Sequence, residues 1–183
     1  KPFKVSPEFA HVVQFSLELY RRSQGAFDPT LAPVINLWGF GEKTDQRSVP
    51  LEAELRAAMK TTGCQHLSVT ANDELVKDIP ELTVNLSAVA KGFGVDEMAR
   101  VLRGHGLTNI YASIAGEVVV LGHNPRGTNW QVGITAPLAN WREDDPMAAI
   151  VSLSNQAIST SGDYQKFLTD AQGPEPDGFA ERF

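Results

Sequence analysis

Apolar residues recur at helical spacing at Phe9, Val12, Val13, Leu17 and Tyr20, which predicts an amphipathic helix near the start of the chain. Ser6 is placed to cap it, Pro7 suits the first helical position and Glu8 favours the positive end of the dipole. Arg21 and Arg22 fall near its C-terminus, and Gly25 closes it. The next segment, GAFDPTLAPVINLWGFG over residues 25–41, has no clean period. Its prolines and glycines predict a fixed, turn-rich stretch instead of a regular element. A second helix is expected from about Pro50, carrying Leu51, Leu55, Ala58 and Met59 inward and stopping before Gly63. HLSVT, ELVK and LTVN read as short strands, with Asn72 and Asp73 turning between the first two. A third helix follows Asn85-Leu86-Ser87, with Val89, Phe93, Met98, Val101 and Leu102 marking its inner side and Gly104 or Gly106 its end.

Beyond that helix the pattern is β. NIYASIAG, EVVVLG, WQVGI, AIVSLS and AIST are strand candidates separated by Gly, Pro and Asn clusters. Helices and strands do not alternate as they would in a doubly wound sheet. The expected class is therefore α+β, with helices packed on a mainly antiparallel sheet and residues 1–183 forming one domain. The polar tail TDAQGPEPDGFAERF reads as a loop, an odd place for a domain to stop, and leads to the expectation that the chain continues.

Composition narrows the function classes. The chain has 183 residues, 42 % apolar and 21 % charged, enough for a packed core. A formal charge of −6 argues against nucleic acid as a partner, since phosphate-backbone binding needs a concentrated basic surface. A small anion remains possible, because it needs only a local nest of N–H groups and a cation or two. Cys64 is the single cysteine, so no internal disulfide can form, and a buried structural thiol is expected. No apolar run approaches the ~20 residues of a membrane-spanning helix. His11, His66, His105 and His123 lack zinc-ligand spacing. The acidic run Glu143-Asp144-Asp145 reads as a solvated face.

Three places could carry chemistry. In TVNLSAVAKGFGVDEMA (residues 83–99) a strand runs through a polar bend into a helix rich in small residues. Unpaired N–H groups at that helix start would suit an anion, and Ala88, Ala90, Gly92 and Gly94 would admit a bulky ligand. Lys91 adds positive charge where the helix dipole disfavours it. The same spacing equally serves a solvated lysine on a helix packed through its alanines and glycines. In the second place, residues 25–41, Asp28 is held between Phe27 and Pro29. It would either accept from a ligand amino or hydroxyl group, or form an Asx turn with its own backbone. Trp38 and Phe40 would stack on a ring or plug a core. In the third, ISTSGDYQKF, Thr160 and Ser161 end a strand where they could meet phosphate oxygens, and Asp163 could cap a following helix.

These segments together resemble the ApbE family of FAD:protein FMN transferases. GAFDPTLAPVINLWGFG is similar to that family's G-A-[FM]-D-x-T segment with its following W-G-F-G, and VNLSAVAKGFGVDEMARVL to its V-D-L-[SG]-[AG]-[IV]-A-K-G helix start. SIAGEVVVLGHNPRGTNWQVGI resembles the family's D-[IL]-G-G-E strand pair, and AISTSGDYQKF its T-S-G turn. The resemblance runs in order over nearly the whole chain. It implies FAD as ligand and Mg²⁺ bridging the pyrophosphate, with FMN passed to a Thr or Ser hydroxyl of a flavoprotein subunit of a respiratory redox complex. Carried over by position, Ala26, Phe27, Asp28, Asn85 and Lys91 would contact FAD, and the Ala88 carbonyl would face Mg²⁺. No catalytic residue is assigned. A periplasmic or envelope location, through an N-terminal lipid anchor outside these residues, is implied by the family alone.

The departures are specific. Asn85 stands where the family has Asp, and Ser113 and Ala115 replace an Asp and a Gly. The family's N-terminal M-G-T and its S-H-[IV]-I-D-P-x-T-G segment, which carries metal-binding residues, are not among these residues. Rival readings are FAD hydrolysis to FMN and AMP, FAD holding without turnover, and a purely structural domain.

Overall fold

The structure is a computed structural model that describes residues 1–41, 49–136 and 147–162. Glu143, Asp144, Asp145 and Asp163 lie outside the described residues. The chain divides into two compact units, Lys1–Ala90 and Lys91–Phe183, and the division falls inside one helix. The architecture is α+β with antiparallel sheets, as the sequence pattern implies.

The first unit opens with strand β1 (Phe3–Lys4) and helix α1 (Pro7–Arg22). Ser6 caps α1 by accepting a hydrogen bond from the Phe9 N–H at 3.2 Å. The buried face is Ala10, Val12, Val13 and Ser16, so Phe9, expected inward, is exposed. Helices α2 (Ala32–Leu37) and α3 (Glu52–Met59) follow. The segment read as wholly irregular thus contains one short helix, started by Pro33 in its first turn, where a missing N–H costs nothing. On α3, Leu51 and Met59 are exposed and not inward, while Leu55 and Ala58 are partly buried. Strands β2 (Leu67–Val69) and β3 (Glu74–Lys77) pair antiparallel across the Asn72-Asp73 turn, and β1 adds to the other edge of β3. The expected strand at LTVN is not formed, and its Leu82 instead joins Val13 and Leu67 in the core of this unit.

Helix α4 (Ser87–Gly104) carries the chain into the second unit. There β4 (Ile110–Ile114), β5 (Glu117–Leu121) and β8 (Gln156–Ser159) form one antiparallel sheet, in the order β4-β5-β8. Strands β6 (Trp130–Thr135) and β7 (Met147–Leu153) form a second. Alternation along β5 sends its side chains to two cores. Val119 packs with Ile110, Ala112 and the α4 residues Val95 and Ala99, while Val118 and Val120 pack with Val132 and Leu153 of the second sheet. Three layers result: helix, sheet, sheet. The inner stripe of α4 is Val95, Ala99 and Leu102, and Met98 and Val101 point outward against expectation. Small residues win that face because β4 lies close: a Cβ on Gly94 would sit 3.0 Å from the Ile114 Cδ1.

Candidate functional site

In the first unit the site begins at the turn after α1. Asp28 Oδ1 accepts from the Thr30 N–H at 2.7 Å and the Thr30 hydroxyl at 2.6 Å, which is an Asx turn. The Cys64 thiol also donates to that oxygen, at 3.2 Å. Thr30, with no exposed surface, accepts in turn from the Gly63 N–H at 2.7 Å. Gly63 has φ +119°, a conformation that effectively only glycine reaches, so its N–H can point at Thr30 without strain. Three donors therefore fix one carboxylate oxygen, and none of them uses Oδ2. The turn reading of Asp28 is met, and it leaves the ligand reading open at the second oxygen.

The same turn reaches the start of α4, since the Asn85 N–H donates to the Pro29 carbonyl at 2.7 Å. Asn85 Oδ1 accepts from the Ser87 N–H at 2.9 Å, and the Val89 and Ala90 N–H groups both bond the Leu86 carbonyl. The helix start is thus more closed than the sequence implied, with three of its first four N–H groups satisfied internally. The Asn85 amide keeps its Nδ2 donors. Ala26 and Ala88 are exposed and Phe27 is partly buried, with its N–H donating to the Ser23 Oγ at 3.0 Å. The structure brings Asp28 and Asn85 together through the Pro29 carbonyl.

Cys64 bears on this network through its proton. Burial, then the hydrogen bond to Asp28 and its negative charge, push the thiol up to about 12. The fold favours the protonated form, so this contribution is full below about pH 8.5, the usual thiol value, and is lost as pH rises further. At pH 8 an ordinary cysteine is roughly a quarter thiolate, the reactive form. Cys64 is therefore expected to resist Ellman's reagent at pH 8 in the folded protein and to react fully in guanidinium. Rapid labelling of the folded chain would disprove the protected proton.

The second unit holds a cleft of about 840 Å³, in the range of ligand sites. Tyr111, Ser113, Val118 and Ile158 of one sheet line it opposite Val132 and Ile134 of the other. At one end it is bounded by Lys91, the Ala115-Gly116 turn, and Thr160, Ser161 and Gly162. The turn is tight: Ala115 has φ 46° and Gly116 φ 93°. Ala115 thus carries a left-handed conformation that costs a non-glycine residue about 1 kcal/mol. The Thr160 hydroxyl sits over this turn, 3.4 Å from the Gly116 carbonyl. Lys91, with 42 % of its side chain exposed, places its Nζ 3.3 Å from Glu117 Oε1. Glu117 faces Ser159 across the β5–β8 register. The Ser159 hydroxyl, and then Lys91, hold its carboxyl below the usual carboxylate range against the opposing effect of burial. Sequence reasoning singled out Lys91, Thr160 and Ser161 but gave no role to Glu117, which closes the segment resembling D-[IL]-G-G-E; its pairing with Ser159 depends on an antiparallel register that the motif does not encode. It also missed Thr30, although an Asp-x-Thr spacing is the signal of an Asx turn closed by a hydroxyl.

A family profile described as the ApbE family matches residues 1–175. The chain belongs to the ApbE family. Among ApbE-family relatives, the FAD:protein FMN transferase of Vibrio cholerae is 40 % identical over 168 residues, covering 92 % of this chain and 49 % of its own length. The solved flavin transferase ApbE from Vibrio cholerae superposes with a TM-score of 0.79 at 38 % identity, covering 93 % of this chain and 54 % of that one. The Pseudomonas stutzeri flavinyl transferase ApbE, in its apo form, gives the same TM-score at 32 % identity, over 100 % of this chain and 52 % of that one. The chain spans about half the length of these ApbE-family proteins.

Among the described residues no three His, Cys, Asp or Glu side chains converge as a protein-only metal cage requires. Mg²⁺ does not need one: it takes one or two protein oxygens and completes its shell with phosphate oxygens and water. A backbone carbonyl such as that of Ala88 fits that pattern through its second lone pair, the first being used within α4. No helix among the described residues is long and apolar enough to cross a membrane.

Proposed function

We propose that the complete protein is a FAD:protein FMN transferase, moving FMN from FAD to a Thr or Ser hydroxyl of an acceptor protein. The observation that carries this reading is the Lys91 ammonium at the hydroxyl-rich end of a ligand-sized cleft. In the reaction, the acceptor oxygen bonds the phosphorus of the FMN half, and the bridging P–O bond to AMP breaks. Negative charge grows on the phosphate oxygens, and a fixed cation stabilises it. Lys91 supplies that cation, with Thr160 and Ser161 as hydroxyl donors beside it. Asp28 would accept from the nucleotide through Oδ2, and Asn85 would donate through Nδ2, in a turn also formed by Ala26 and Phe27. The Ala88 carbonyl would be one of the oxygens holding Mg²⁺, which would supply charge neutralisation at the pyrophosphate. The acceptor would be a flavoprotein subunit of a respiratory redox complex, met at the periplasmic or envelope side.

The test is incubation of the complete protein with FAD, Mg²⁺ and an acceptor domain. The expected result is covalent flavin on the acceptor, with one AMP released per flavin. AMP without labelled acceptor would replace transfer by hydrolysis, and saturable flavin quenching without AMP would replace both by flavin holding.

A further inference from the structure

Lys91, at one end of the cleft, is paired with a carboxylate that does not itself line the cleft. Glu117 opens β5 immediately after the Ala115-Gly116 turn, on the α4 face of the sheet and beside Val119. Only 16 % of its side chain is exposed, and its Oε1 lies 3.3 Å from Lys91 Nζ. Lys91 stands near the positive end of α4, where the helix dipole opposes an ammonium, so an adjacent carboxylate offsets that cost. Ser159, opposite on β8, donates to the same carboxyl, which stays ionised at neutral pH. Ser159–Glu117–Lys91 thus runs from β8 through β5 to α4, ending at the cleft.

We infer that Glu117 determines which charge state of a phosphate ligand this end of the cleft accepts, by holding Lys91 as a neutral pair. A bare phosphate anion must compete with the Glu117 carboxylate for the ammonium and also meets that carboxylate's repulsion. A phosphate whose charge is already reduced by a bound divalent cation meets a smaller penalty. The pair therefore favours the metal-complexed nucleotide over the free one. A surface ion pair of this kind is worth about 1 kcal/mol at most, which corresponds to about a fivefold change in binding. The inference rests on the reading of Lys91 as the cation that faces the ligand phosphate.

The experiment is FAD titration of the complete protein by flavin fluorescence, in EDTA and again in excess Mg²⁺. Wild type is compared with E117Q, K91A and the double variant, and thermal unfolding is monitored for each. E117Q is expected to bind FAD about fivefold more tightly than wild type in EDTA, with the gain falling below about twofold in Mg²⁺. A merely structural role would weaken binding in both buffers, and that result overturns the inference. So does an equal gain in both buffers, which would make Glu117 a source of general repulsion without selectivity. E117A serves as the second variant should the glutamine amide re-pair with Lys91 or impair folding. If K91A leaves FAD affinity unchanged with either residue at 117, the reading of Lys91 falls and this inference with it. If K91A weakens binding while neither Glu117 variant strengthens it in EDTA, only the inference falls.

Discussion

Lys91→Ala is expected to lower kcat/KM of the complete protein for FAD by about 10²-fold, with its folding unchanged. The size follows from the loss of one fixed charge-stabilising donor where charge develops, an effect typically of 10²–10³. Two contributions act in the same direction. The ammonium is lost from the phosphate, and Glu117, 3.3 Å from the Lys91 Nζ, is left as an uncompensated anion behind the place it occupied. Folding should not respond, because the Lys91 side chain is 42 % exposed and the α4 core is made by Val95, Ala99 and Leu102. Lys91→Arg keeps the charge but changes its shape from a compact ammonium to a planar fork, so partial recovery is expected. Steady-state kinetics with FAD over a range of concentrations, alongside a thermal melt, decides the matter. Unchanged kinetics would remove the anion role and leave a solvated lysine.

How far the sequence foretold this arrangement depends on the range of the interactions involved. Local signals served well. Ser6 and Pro7 started α1, and every strand expected after α4 formed within one or two residues of its place, since β4 to β8 are bounded by turn residues and rich in β-branched side chains. Signals that depend on neighbours failed in a consistent way. In α1 and α4 the large residues Phe9, Met98 and Val101 looked inward by period, yet the buried stripes are built from Ala10, Val13, Val95 and Ala99. Close approach between elements selects small side chains, and the distance between elements is not written in either helix. LTVN has strand propensity but pairs with no strand among the described residues, and the Asn85 backbone bonds Pro29 instead. β1 is two residues long and exists only through β3.

The site shows the same limit. Each half of the Asp28 turn was visible as a motif, but Cys64 and Gly63 come from more than thirty residues away. Glu117 stood inside the strand-pair motif, but nothing local signalled its pairing with Lys91 and Ser159. Asp28 could be read as turn or as ligand, and the structure explains why both readings were tenable. Its Oδ1 is committed to the turn by three donors, while its Oδ2 is not used by them.

That division yields the second large expected effect, a contrast between two substitutions in one network. Thr30→Val preserves shape but removes a hydroxyl that donates to Asp28 and accepts from Gly63, at a position with no solvent exposure. A buried polar group left without its partner costs about 1–3 kcal/mol. Two groups lose one here: the Gly63 N–H loses its acceptor, and Asp28 Oδ1 keeps only two of its three donors. The expected loss of stability is about 2–3 kcal/mol, measured as a lower urea midpoint at constant m. Thr30→Ser retains the hydroxyl and should recover most of that loss. Asp28→Asn behaves oppositely, because the amide oxygen can still accept from Thr30 and Cys64. Folding should be nearly preserved while FAD affinity falls about tenfold, the charge and the second acceptor oxygen both being gone. Should Asp28→Asn destabilise the fold as much as Thr30→Val and leave FAD affinity intact, Asp28 belongs to the turn alone. The ligand contact in this unit would then pass to the side chain of Asn85, whose backbone N–H ties it to the same turn through the Pro29 carbonyl.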